Sequence, residues 1–129
     1  MLPSQVMTPM IQCKRVYEQA VKSDGQRFLV ERLWPRGFKK EALGLDGWLK
    51  DVAPSNELRK WFNHDLSKWT EFQKRYRAEL DDKPAAWQFL LSAVSRGNLT
   101  LLFSAHDIAH NSAILLKAYL EERLHAAAK

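Results

Sequence analysis

The hydrophobic positions of this chain change their period several times, and each change marks an element. Phe28-Leu29-Val30 is a short unbroken apolar run, the pattern of a strand covered on both faces, and a strand is expected over residues 27–33. Pro35 forbids further ladder pairing and Gly37 permits an unusual backbone, so it must stop there. An earlier strand is expected over 11–17, closed by the turn signal Lys22-Ser23-Asp24-Gly25. Leu99-Thr100-Leu101-Leu102-Phe103 has the same compact character as the run at 28–30.

Between the strands the period lengthens to three and four. Residues 45–50 read as a short helix stopped before Pro54. Ser55 is a good N-cap for a helix through Phe62, with Leu58, Trp61 and Phe62 on its apolar side. Asp65 suits the cap of the next, where Leu66, Trp69, Phe72, Tyr76 and Leu80 form a stripe for core packing rather than a ligand cage. Pro84 opens another, carrying Trp87, Leu90, Leu91 and Val94 and ending at Gly97-Asn98. A last helix is expected over 110–124, with Ile114, Leu115, Ala118 and Leu124 facing inward.

The order β-β-α-α-α-β-α predicts a single α/β domain: a small mixed or parallel sheet of about three strands packed with four to five helices. Residues 1–10, with two prolines and no periodicity, read as a flexible leader, and 11–129 as the domain. The strands at 27 and 99, joined by a helical excursion, have the pattern of a parallel pair with a crossover. Their C-terminal ends then share the sheet edge at which open α/β sheets bind ligands.

Composition narrows the class without naming a function. The chain has 129 residues, 46% hydrophobic and 27% charged, enough for one proper core. No apolar stretch approaches the ~18 residues of a membrane helix, and the N-terminus lacks the features of a secretory signal. A single cysteine, Cys13, excludes an intrachain disulfide and a Cys-pair zinc site and points to a reducing, cytoplasmic setting. The net charge of +5 is modest; Lys68, Lys74, Arg75 and Arg77 are interleaved with Glu71 and Glu79 as on a solvated helix face.

Two polar segments leave the expected parallel strands: Glu31-Arg32-Leu33-Trp34-Pro35-Arg36-Gly37, and Ser104-Ala105-His106-Asp107-Ile108-Ala109-His110-Asn111. The second opens the final helix, whose unpaired N–H groups favour an anion. Arg32 and Arg36 add donor forks suited to carboxylate or phosphate; alternatively Arg32 pairs with Glu31 or Asp107 as a structural ion pair. Glu31 in a poorly hydrated pocket is a general acid or base, or else orients an arginine. Trp34 is either a stacking wall or packing.

His106 and His110 stand four apart, on one face if both are helical, and His64-Asp65 could add ligands from a loop, but the pair lacks the glutamate of a zincin motif. No metal and no cofactor are therefore expected, and a histidine serves better as proton donor or orienter. Asp107 equally caps the last helix, with Asn111 in its first turn. Ser104 lacks a nucleophile elbow and Cys13 sits early in a strand, so no covalent hydrolase is expected. The candidate set is Glu31, Asp107 and His110 for catalysis, with Arg32, Trp34, Arg36, Ser104, His106 and Asn111 for substrate binding.

Leu29-Val30-Glu31-Arg32-Leu33-Trp34-Pro35-Arg36-Gly37 resembles the signature of the YeaO-like family, a domain of unknown function (family 488). Trp48-Leu49-Lys50-Asp51-Val52-Ala53-Pro54-Ser55, then Leu58-Arg59-Lys60-Trp61-Phe62 with His64-Asp65, are similar to its central motifs. Trp69, Phe72, Tyr76 and Glu79-Leu80 fit its long helix; Leu101-Leu102-Phe103-Ser104-Ala105, Asp107, His110-Asn111 and Leu115 fit its closing strand and helix. The resemblance covers roughly residues 12–124. It implies a compact cytoplasmic bacterial-type α/β domain and no settled activity. Glu31 stands where the family pattern has aspartate, and His106 where it usually has lysine or arginine. An anion held at that second position would be held by His106 only when protonated.

Two functions follow as expectations. One is a small-molecule or anion-binding domain with acid/base chemistry as an added activity. The alternative is an accessory regulatory or nucleic-acid-associated module, suggested by the +5 charge and the basic turn at 36–40 but lacking a recognition motif. Oligomeric state is not legible, since Trp48 and Trp87 suit core or interface equally.

Overall fold

The computed structural model describes residues 10–39 and 43–127; residues 1–9 of the expected leader, and Lys40 of the basic turn, lie outside them. Four strands form one sheet: β1 (Ile11–Arg15), β2 (Gln26–Leu29), β3 (Gly47–Trp48) and β4 (Leu99–Phe103). Their order is β1-β4-β2-β3, and every pairing is parallel. The crossover pair expected from the sequence is β2 beside β4, with Leu29 opposite Leu102. Helices α1 (Asn56–Phe62), α2 (Trp69–Asp81), α3 (Pro84–Ser95) and α4 (Ser112–Ala127) complete a single-domain α/β fold. Among the described residues no helix is long and apolar enough to cross a membrane.

Where a short helix was expected at 45–50, the chain adds the fourth strand. Asp46 N–H donates to Arg27 O at 2.7 Å and Leu49 N–H to Leu29 O at 2.8 Å, so the free edge of β2 takes the donors a helix would use. Gly47 lies so close to Phe28 that a Cβ would sit 3.1 Å from its ring. Only a 3₁₀ turn, Lys50–Val52, follows. Strands β1 and β2 end sooner than expected. After Arg15 the Glu18 carboxylate accepts from the Arg15 N–H and turns the chain; after Leu29 one further bond, Val30 N–H to Leu102 O, closes the ladder.

The sheet's two faces are covered differently. Ile11, Phe28, Val30, Leu99, Leu101 and Phe103 pack against the helices, with Leu58, Phe72, Leu90 and Leu116 among their partners. On the other face Val16, Leu29 and Leu102 are covered by Trp34, Phe38, Leu43 and Leu45 from the connection between β2 and β3 and by Trp48 of β3. Trp87 is buried and its indole donates to Leu80 O, so it is core; Trp48 is half-buried in the second cluster.

The helix caps follow the sequence reading. Ser55 Oγ accepts from Leu58 N–H, Asp65 caps a 3₁₀ turn that leads into α2, and Pro84 opens α3. Helix α4 departs from it. Ala113, Leu116, Tyr119 and Leu120 face the core, Ile114, Leu115 and Leu124 are half-buried, and Ala118 is exposed. Apolar residues surround this helix, so their spacing selects no face; the sheet selects one.

Below the second apolar cluster sits a buried ion group. Asp24 is 1% exposed and takes an ion pair from Arg27 (6% exposed) and one from Lys14 at 3.0 Å. It fastens the 3₁₀ turn Lys22–Asp24 to the sheet, and Thr100 Oγ donates to Asp24 O at 2.8 Å. Gly25 follows with φ +66, where a Cβ would stand 2.1 Å from Asn98 O, so only glycine fits.

Candidate functional site

The C-terminal ends of β2 and β4 open into a cavity of about 620 Å³. Glu31, Arg32, Trp34 and Arg36 line it from one side and Ser104, His106, His110 and Asn111 from the other. Parallel pairing brings these segments together, and a hydrogen bond from Ser104 Oγ to Glu31 Oε1, 2.7 Å, joins them. Asp107 does not line the cavity.

Arginines build the walls by binding backbone. Arg32 donates through Nε to Pro54 O and through Nη2 to Ala53 O, 3.1 Å each, rather than to Glu31 or Asp107. Helix α2 holds the same segment from behind: Tyr76 Oη donates to Val52 O, and Glu79 accepts from Ser55 N–H at 2.8 Å and Ser55 Oγ at 2.6 Å. Full burial holds the Tyr76 phenol far above its ordinary value, so it stays a donor. Arg15 treats the other wall likewise, donating to Ala105 O at 3.0 Å and Ser104 O at 3.3 Å. Trp34 is fixed by its indole bond to Phe38 O, 2.8 Å, and by the edge of Trp48 at 5.2 Å.

Residues 104–111 are not helical, so His106 and His110 do not share a helix face. Asp107 organises this loop. Its carboxylate accepts from Ala109 N–H and His110 N–H, 3.0 Å each, and lies 3.0 Å from His110 Nδ1. The Ala109 N–H is the largest influence holding the Asp107 carboxyl below its usual value; slight desolvation opposes it and His110 adds to it. Asn111, not Asp107, caps α4, its Oδ1 accepting from Ile114 N–H at 2.9 Å. That cap places the helix start, with Ser112, in the cavity wall. Among the described residues no three His, Cys, Asp or Glu side chains converge as a metal site.

The sequence offered His64 only as a loop ligand for a metal and gave no sign of the wall supplied by α1 and the turn after it. Arg59, Lys60, Asn63 and His64 line the cavity, as does Tyr17 from the end of β1. Arg59 Nε is buried without a hydrogen-bond partner. Asn63 (φ 46) and His64 (φ 57) are the non-glycine residues with positive φ among those described, a conformation costing about 1 kcal/mol each. The dibasic pair Arg59-Lys60 is visible in the sequence, but its neighbours are not. Among the described residues, the permanent charges lining the cavity are thus Arg32, Arg36, Arg59 and Lys60 against the carboxylate of Glu31.

Residues 10–129 match the family described as the inactive DUF488-N3 subclade. "Uncharacterized protein YeaO" of Escherichia coli (strain K12) is 46% identical over 110 residues, covering 85% of this chain and 96% of that protein. "Uncharacterized protein Mb3100c" of Mycobacterium bovis and "Uncharacterized protein Rv3073c" of Mycobacterium tuberculosis are each 39% identical over 113 residues, 88% of this chain and 95% of theirs. No solved structure matches the chain.

Proposed function

The chain belongs to the YeaO-like family, in the group described as the inactive DUF488-N3 subclade, and from that premise we propose that it binds a small phosphate- or carboxylate-bearing molecule in the cavity at the strand ends. The observation that carries this reading is the charge of the lining, four permanent cations against one carboxylate among the described residues. A cavity with low-dielectric walls concentrates such a field and attracts anions. The start of α4 adds N–H donors at the same wall.

The word "inactive" in the family's description favours recognition over turnover. In this reading Glu31 is a positioning residue that takes the Ser104 hydroxyl, and Asp107 fixes His110 so that its other ring nitrogen remains for a ligand. The catalytic roles considered for Glu31, Asp107 and His110 become secondary. A nucleic-acid partner is less favoured, because both arginines of α2 are engaged, Arg75 with Glu71 and Arg77 with Glu122, and Lys68 just before it donates to Trp61 O. The lone free thiol of Cys13 fits a reducing cytoplasmic setting.

The test is calorimetry at low ionic strength with phosphate monoesters and mono- and dicarboxylates. Binding should weaken with salt and fall at least tenfold in Arg59→Ala/Lys60→Ala, with folding checked by circular dichroism. If wild type binds none of the panel, or the double variant binds as wild type does, the reading fails.

A further inference from the structure

We infer that the cavity selects anions with a flat aromatic body over inorganic phosphate or aliphatic esters, an inference that rests on the anion-binding reading above. The first ground is size. About 620 Å³ is room for roughly twenty waters at ~30 Å³ each, far more than an inorganic ion fills, and falls within the ~300–1,000 Å³ of organic-ligand sites.

The second ground is the lining between the charges. Tyr17, Trp34, Phe62 and Phe72 reach the cavity from the end of β1, the exit of β2, α1 and α2. These rings are set in place before any ligand arrives. Phe62 and Phe72 stack on each other with centroids 4.3 Å apart and planes 24° apart, and Trp34 is held at its indole nitrogen and by Trp48. Little ordering is left to oppose binding. At the mouth the lining includes two large apolar side chains that stay exposed, Tyr17 at 53% and Leu33 at 61%. An apolar ligand body that covers them gains free energy in proportion to the area removed from water.

The third ground is the placement of charge relative to rings. Arg59 and Phe62 are three apart on one helix, hence neighbours on its surface, and both line the cavity. The ligand this matches carries its anionic group directly on its ring. Phosphate and carboxylate share that chemistry, and the probes separate them.

Calorimetric titrations of the full chain with phenyl phosphate, benzoate, glycerol phosphate and inorganic phosphate test it. At least one aromatic probe should bind ten or more times tighter than both non-aromatic ones; phenyl phosphate ahead identifies a phosphate ligand, benzoate ahead a carboxylate. Tyr17→Ala, at an exposed position, should weaken the aromatic probe about fivefold and leave glycerol phosphate unchanged. Equal affinities for aromatic and non-aromatic probes, or an equal loss for both in Tyr17→Ala, overturn this inference while leaving anion binding standing. Failure of every probe to bind overturns both.

Discussion

Ser104 donates its hydroxyl to the Glu31 carboxylate across 2.7 Å, although 73 positions separate them in the chain. The contact exists because β2 and β4 run parallel and end together, with Leu29 opposite Leu102. It also means that the Glu31 carboxylate ties the two walls of the cavity together while opposing the surrounding cations. Glu31→Gln keeps an acceptor for Ser104 and removes the negative charge. A unit charge ~7 Å away in a half-wet cavity is worth about 1 kcal/mol, so anion affinity should rise about fivefold at low salt. A fall in affinity would mean that Glu31 itself contacts the ligand.

Arg32 was expected either to hold a ligand or to pair with Glu31 or Asp107; it lines the cavity while its guanidinium binds backbone, at Ala53 and Pro54. Its planar fork reaches two carbonyls at once, which a lysine ammonium on a flexible stem does not reproduce. Arg32→Ala should lower stability by about 2 kcal/mol in chemical denaturation, and Arg32→Lys should recover less than half of it. A variant as stable as wild type would make the two bonds dispensable.

Asp24 gives acid denaturation a defined component. Burial is the largest single influence on its carboxyl and opposes ionisation, yet the Lys14 ammonium, the Val21 N–H and the Arg27 guanidinium outweigh it and hold the carboxyl below its ordinary value. A carboxyl depressed in the folded state contributes stability that is complete above the unfolded value, about 3.9, and is lost as pH falls through the folded one. Asp24→Asn leaves Lys14 and Arg27 without their counter-charge and should cost about 3 kcal/mol at pH 7. Its stability should then change less than that of wild type below pH 4. Parallel acid-unfolding curves for the two proteins would contradict this.

Burial pushes the Cys13 thiol up to about 11, with Lys117 opposing and Glu121 adding to the shift, and Sγ lies 3.4 Å from Ala113 O as a donor. Only the thiolate reacts, so alkylation by iodoacetamide at pH 8 should run about 100-fold slower than for an ordinary thiol. Urea unfolding should restore the normal rate. Equal rates before and after unfolding would show that Cys13 is open to solvent.

Much of the fold could be read from residue order. Ser55 and Pro84 marked helix starts, Leu99–Phe103 read as a buried strand, and strand–helices–strand implied a parallel pair. These signals act over a few residues or through general rules of chain connection. They also sufficed to bring the candidate residues after β2 and β4 into one cavity, apart from Asp107.

What the tertiary structure alone decided was of longer range. Gly47 and Trp48 became a strand because the edge of β2 offered partners, and α4 turned Leu116 inward because the sheet chose among its apolar faces. Arg32 found carbonyls 21 and 22 positions away, and Arg59 and Lys60 reached a cavity whose other wall begins at Ser104. Periodicity reports which residues share a face of one element; it carries no information on what stands opposite. A long guanidinium side chain settles on whichever acceptor the finished fold brings within reach, and that acceptor is specified by distant parts of the chain.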